Sequence, residues 1–246
     1  MSGVGQPAAD ERTAEIRAGL AAVRQRIASA CRAVGRNPAE VTLVAVSKTF
    51  PASDIRIAAS LGVRDVGENR DQEARAKVAE LADLDLRWHF VGQLQRNKCA
   101  SVGRYAAMVH SLDRPEVVDA LAAAAGRAGR RIVGLVQVSL AAAANGEPAG
   151  RGGTPPEQVP ALAERIAAQP GLRLGGVMAV PPIEADPAVA FRLLREIAED
   201  LTRRHPDARI VSAGMSGDLA AAIAAGATHV RVGTAVFGSR LPMLLR

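Results

Sequence analysis

The chain has 246 residues, 48% of them hydrophobic and 23% charged, enough for one large or two small domains. Its 31 lysines and arginines outnumber its 25 aspartates and glutamates by six. These basic residues are scattered singly or as RR pairs, and aromatics make up 2%, so the composition argues against nucleic acid as a partner. No apolar run reaches the ~18 residues of a membrane span, and Met1 to Ala9 lacks the basic-then-apolar pattern of a secretory signal. The two cysteines, Cys31 and Cys99, stand in unrelated contexts. That excludes a disulfide scaffold or a zinc finger and points to the cytoplasm.

Residues 11–35 read as an amphipathic helix, with Ile16, Leu20, Val23 and Ile27 at helical spacing; residues 1–10 ahead of it are expected to be disordered. The continuous β-branched run Val41–Val46 predicts a strand buried on both faces. Strand patterns recur at Val63–Val66, Arg87–Val91, Ala106–His110, Ile132–Ser139, Leu172–Ala179, Arg209–Ser212 and His229–Val232. Helical patterns lie between them, at Asp54–Leu61, Gln72–Leu81, Pro115–Ala125, Pro156–Ala168, Pro187–Arg203 and Gly217–Ala225. Eight such units at about 25 residues each predict an α/β fold, a single (β/α)8 barrel of residues 1–246 with an extra N-terminal helix. An open doubly wound sheet would want a Gly-rich turn after the first strand, and SKTFPAS has no glycine. Leu140–Thr154 is the one long loop, after the fifth strand, on the face where barrels keep their active sites.

Lysine is scarce: only Lys48, Lys77 and Lys98 occur. Lys48 emerges from the apolar strand VTLVAVS, where partial desolvation favours the neutral, nucleophilic amine, suited to a Schiff base with a carbonyl. A surface lysine on a loop is the plain alternative. At the last two strand ends, Gly214-Met215-Ser216-Gly217 and Gly233-Thr234-Ala235 expose backbone N–H groups of the kind that cradle phosphate, with ordinary capping by Ser216 as the alternative. Arg231 lies two residues before Gly233, on the same strand face. His89 and His110 sit near strand ends as contact residues or satisfied core histidines, and no residues have metal-ligand spacing. A nucleophilic lysine facing a phosphate cradle fits pyridoxal 5′-phosphate or the phosphosugar of a class I aldolase. Arg231 favours the former, whose ring nitrogen offers an acceptor.

VAVSKT (44–49), GENRDQE (67–73), WHFVGQLQRNK (88–98), GVMAVPP (176–182), SAGMSGDLAAAI (212–223) and VRVGTAVFG (230–238) together resemble the YggS/PROSC family of pyridoxal phosphate homeostasis proteins. Nearly the whole chain is covered, and WHFVGQLQRNK alone is highly specific. The resemblance implies a fold type III barrel like that of alanine racemase, with a Schiff base at Lys48. It further implies phosphate contacts from Ser216, Gly233 and Thr234, Arg231 at the pyridine nitrogen, and Asn69 and His89 near the cofactor. Arg70 stands where the family usually has an aromatic residue, and Gln137 where asparagine is common. The expected protein is a cytoplasmic, monomeric or weakly associating carrier that buffers pyridoxal phosphate and delivers it to apo-enzymes, without catalytic turnover. A racemase-like enzyme is the alternative. Against it, the only tyrosine, Tyr105, is expected at the barrel end away from the site, and the sequence stops at Arg246 with no second domain to supply an opposing base.

Overall fold

The computed structural model describes residues 6–140 and 152–238. It is a closed barrel of eight parallel strands in sequential order. These are β1 (Thr42–Val46), β2 (Asp65–Glu68), β3 (Arg87–Phe90), β4 (Met108–Leu112), β5 (Ile132–Gln137), β6 (Leu172–Met178), β7 (Ile210–Ser212) and β8 (His229–Val232). Closure comes from β8 pairing with β1, in the register Thr42 to His229 and Val44 to Arg231. The helices are α1 (Gln6–Ala33), α2 (Ala52–Ser60), α3 (Asp71–Glu80), α4 (Cys99–Tyr105), α5 (Pro115–Arg127), α6 (Val159–Ala167), α7 (Pro187–Arg204), α8 (Leu219–Ala224) and α9 (Thr234–Phe237).

The extra helix α1 begins at Gln6, five residues before the expected start at Glu11. Residues 6–10 are helical, while Met1 to Gly5 lie outside the described residues. Its buried stripe Ile16, Leu20, Val23, Ile27 and Cys31 packs the helix against α2, α8 and α9. Each of the larger side chains contributes about 1.5–3 kcal/mol on burial. Strand β2 begins two residues later than the pattern predicts, at Asp65, because Val63 packs in the core ahead of the ladder with β3.

Alternation along the strands divides the barrel interior into two halves. Met108, Leu135 and Met178 fill the side formed by β4, β5 and β6. Across β2, β3, β4, β7 and β8 the interior is polar, holding Asp65, His89, His110, Ser212 and Arg231, all buried. The long loop falls mostly on 141–151, outside the described residues. Its two ends are fastened together, the Ser139 N–H donating to the Thr154 carbonyl at 2.8 Å and the Thr154 N–H to that of Gln137 at 2.8 Å.

Candidate functional site

Lys48 stands on the turn that leaves β1, and its neighbour Thr49 is the only described non-glycine residue at positive φ, 69°. A β-branched residue there costs of order 1–3 kcal/mol and persists only when its surroundings hold it. Here they do. The Phe50 N–H closes the turn onto the Ser47 carbonyl at 3.0 Å, and the Thr49 N–H donates to Glu73 Oε2 at 3.0 Å. Lys77 Nζ donates to the Ser47 carbonyl at 2.8 Å and to Glu68 Oε1 at 2.6 Å. Ser47 Oγ donates to the same Glu68 oxygen at 2.5 Å. Glu68, Lys77 and Ser47 are buried between the barrel wall and α3. Burial pushes the Glu68 carboxyl above its ordinary range despite the opposing Lys77 and Ser47, and its second oxygen, Oε2, is buried without a partner. Lys48 itself is exposed, so the desolvation expected from its apolar strand is absent. The chain breaks out of the barrel at Ser47, one residue before it.

One cleft of about 550 Å³ at the C-terminal mouth is lined by Lys48, Asn69, Ser216, Arg231, Gly233 and Thr234, six of the seven residues the sequence nominates. Asn69 is held by the loop after β3. A Cβ on Gly92 would collide with the Asn69 carbonyl oxygen, so only glycine lets the two loops touch there. Ser216 is not a helix cap, because α8 starts at Leu219 with Asp218 as its N-cap. Asp218 Oδ1 instead accepts the Met215 N–H at 2.6 Å, and the Ser216 carbonyl accepts from Arg26 at 2.5 Å. The backbone N–H groups of Ser216, Gly217, Gly233 and Thr234 make no hydrogen bond to another described residue. They fit an oxyanion without displacing any existing partner.

Arg231 lies at the back of the cleft, 6% exposed. Nη1 donates to Ser212 Oγ at 2.6 Å and Nη2 to the Ala179 carbonyl at 2.9 Å. Burial lowers the guanidinium to about 10, partly offset by Asp218, so it stays charged at neutral pH. His89 does not line the cleft. It is buried inside the barrel, with Nε2 2.9 Å from Asp65 Oδ1 and Nδ1 2.9 Å from His110 Nε2. A ring with both nitrogens engaged there has none left for a ligand. Arg70 is exposed and pairs loosely with Glu73 at 3.4 Å. Val46, Phe50, Val91, Gly92, Gln93, Val180, Met215 and Gly217 complete the lining. All of these but Phe50 fall inside the recognisable motifs, so strand-end reasoning could have reached them. Phe50 carries no such signal.

Tyr105 ends α4 just ahead of β4 and lines no part of the cleft. Its phenol is buried near Asp71, at the start of α3, and Glu68, at the end of β2. Burial first, then these two carboxylates, push it far above the ordinary phenol range. Among the described residues no helix is long and apolar enough to cross a membrane, and no group of three or more histidines, cysteines or acids is placed to hold a metal.

Residues 19–241 match the model of the alanine racemase N-terminal domain. A pyridoxal phosphate homeostasis protein of Pseudomonas aeruginosa is 46% identical over 226 residues, 90% of this chain and 94% of that one. The chain belongs to the pyridoxal phosphate homeostasis protein family. Its barrel is similar to PipY of Synechococcus elongatus, solved with pyridoxal phosphate bound, at a TM-score of 0.78 and 35% identity over 91% of this chain and all of PipY. Alanine racemase of Corynebacterium glutamicum shares the fold, with a TM-score of 0.66 at 14% identity, covering 97% of this chain and 63% of the enzyme.

Proposed function

We propose that the cleft binds pyridoxal 5′-phosphate and that the protein buffers and delivers it in the cytoplasm without a catalytic turnover of its own. One observation carries this reading: a single cleft joins an accessible lysine amine, a buried arginine and a set of backbone donors unpaired among the described residues. When bound, the cofactor supplies an aldehyde, a phosphate and a ring nitrogen, and each has a counterpart of matching chemistry. Lys48 is the amine that bonds to the aldehyde carbon. The Ser216 hydroxyl and the N–H groups of Ser216, Gly217, Gly233 and Thr234 hold the phosphate. Arg231 donates to the ring nitrogen, and Asn69 borders the cofactor. PipY, which shares over a third of its residues with this chain, binds the same molecule. The two cysteines are buried free thiols, and burial raises Cys99 to about 11, which suits a reducing compartment.

The test is to add pyridoxal phosphate to the purified protein, follow its visible absorbance, reduce with borohydride and map the modified peptide. The label is expected on Lys48; a label on Lys98 or Lys77 would refute the site. Ser216→Ala tests the cradle. It removes one charge-assisted hydrogen bond worth roughly 1.5–3 kcal/mol, so Kd should rise about tenfold or more. The backbone donors remain, so binding weakens without vanishing. An unchanged titration curve would place the phosphate elsewhere.

Racemisation needs a base on each face of the substrate α-carbon. Lys48 can serve one face, but the only tyrosine of the chain is buried at the end of α4, outside the cleft, and held neutral beside two carboxylates. Arg231 can only donate, so the ring nitrogen stays unprotonated and withdraws electrons poorly. The expected result is no appreciable interconversion of L- and D-alanine, together with measurable transfer of cofactor to an apo-enzyme. Sustained alanine racemisation by contaminant-free protein would favour an enzyme.

A further inference from the structure

Arg231 is one end of five buried polar side chains, hydrogen-bonded one to the next across the inside of the barrel. Arg231 Nη1 to Ser212 Oγ is 2.6 Å, Ser212 Oγ to His110 Nδ1 2.8 Å, His110 Nε2 to His89 Nδ1 2.9 Å, and His89 Nε2 to Asp65 Oδ1 2.9 Å. Beyond Asp65 the chain reaches the opposite mouth, where Arg87 Nε donates to Asp65 Oδ1 at 2.7 Å and Nη2 to Oδ2 at 2.5 Å.

With neutral imidazoles between them, the two ends fix every proton. A guanidinium only donates, so Ser212 accepts from Arg231 and gives its single proton to His110 Nδ1. His110 then carries its hydrogen on Nε2 and donates to His89, which in turn carries its own on Nε2 and donates to Asp65. A neutral ring suits His110, which burial, reinforced by the Arg231 guanidinium, holds well below the ordinary imidazole range. At the far end, burial pushes Asp65 up, but the bonds from His89 and Arg87 outweigh it and hold the carboxyl ionised at about 2. Arginine cannot pass a proton on, so the chain is no proton wire; it transmits position and charge. Apolar side chains fill the other half of this barrel and would be the less costly filling here too.

We propose that Ser212, His110, His89 and Asp65 are positioning residues that act as one oriented relay, holding the Arg231 guanidinium against the cofactor ring from the opposite end of the barrel. This rests on the reading of Arg231 as the ring-nitrogen contact, and the two can be separated. Kd and the absorbance maximum of bound pyridoxal phosphate are measured for Ser212→Ala, His89→Phe, His89→Gln and Arg231→Ala. Ser212→Ala and His89→Phe should each raise Kd about tenfold, as expected for loss of hydrogen bonding to a charged group, although His89 lines no part of the cleft. Both should move the absorbance maximum in the direction Arg231→Ala moves it. His89→Gln, whose amide can accept from His110 and donate to Asp65, should restore most of the affinity. In the Arg231→Ala background His89→Phe should change Kd by less than about twofold, because the relay then has nothing to position.

A His89→Phe protein with parental Kd and spectrum, alongside an impaired Arg231→Ala, would overturn the relay and leave the ring contact standing. A rise in Kd that persists undiminished in the Arg231→Ala background would overturn it too, as general loosening of the barrel. Parental binding by Arg231→Ala would remove both readings. Should His89→Phe fail to fold, Ser212→Ala, which deletes a single oxygen, decides by the same criteria.

Discussion

Lys48→Ala is expected to abolish the borohydride-stable attachment of pyridoxal phosphate completely while leaving weaker, reversible binding. The two halves of this outcome come from different parts of the cleft. The covalent bond needs an accessible amine, and Lys48 is the only lysine lining the cleft. Lys77 cannot replace it, since its amine is buried and bonded to the Ser47 carbonyl and Glu68. Lys98 lies in the short 3-10 turn Arg96–Lys98 ahead of α4 and lines no part of the cleft. The phosphate donors belong to the loops after β7 and β8, on backbone the substitution does not touch. Each charge-assisted hydrogen bond there contributes roughly 1.5–3 kcal/mol, enough to keep the phosphate in place without the covalent link. Absorbance titration and mass analysis after reduction check both halves. A residual label on another lysine would refute the assignment of the amine, and complete loss of reversible binding would refute the separate cradle.

The barrel was legible because its signals are local. The run Val41–Val46 had to be a strand buried on both faces, and β1 occupies Thr42–Val46 between the lumen and the helices. Eight such segments divided by helical patterns leave few ways to bury all the apolar faces other than closing the sheet. What escaped was weakly patterned. The seven residues of α4 include Gly103, which carries no periodicity and serves a packing purpose: a Cβ there would stand 2.8 Å from that of Ala124. The early start of α1 is hidden by QPAAD, which has no apolar stripe to announce it.

The cleft was legible for a similar reason. Strand ends in a barrel converge, so a motif at each end names a lining residue without knowledge of the packing. Interactions across the lumen have no such signature. Ser212 and His110 are 102 positions apart, and nothing in either neighbourhood marks the other as a partner. His89 illustrates the limit. Its place in WHFVGQLQRNK puts it on an inward-facing strand position. Whether it meets a ligand or the lumen depends on Asp65 and His110, which occupy both its nitrogens. Lys77 stands out by its rarity, yet its partner Glu68 lies nine residues away, on the preceding strand. Only the docking of α3 on β2 brings them together.

That pair gives the largest expected effect on stability. Lys77→Met should destabilise the protein by about 3 kcal/mol or more near neutral pH, because it leaves a buried carboxylate without its counter-charge. The side chains of Lys77 and Glu68 are 10% and 1% exposed, so water cannot take over the lost role. The loss should shrink as the pH falls. Glu68 already has its folded pKa raised above the ordinary 4.5 by burial, with Lys77 the chief opposing influence. A carboxyl raised on folding contributes most below its unfolded value, and that contribution fades as the pH climbs through its folded value. Without Lys77 the folded value rises further, so the variant falls behind the parent across the neutral range and approaches it in mild acid. Titratable groups elsewhere, including Asp65, are common to both proteins and cancel in the difference. Urea unfolding of parent and variant at about pH 5 and pH 7.5 reads this directly, with the larger gap expected at the higher pH. Adding Glu68→Gln to Lys77→Met removes the stranded charge and should recover part of the loss at pH 7.5. A gap independent of pH, or a double variant weaker by the sum of the two single losses, would mean that the buried charge is not what Lys77 compensates.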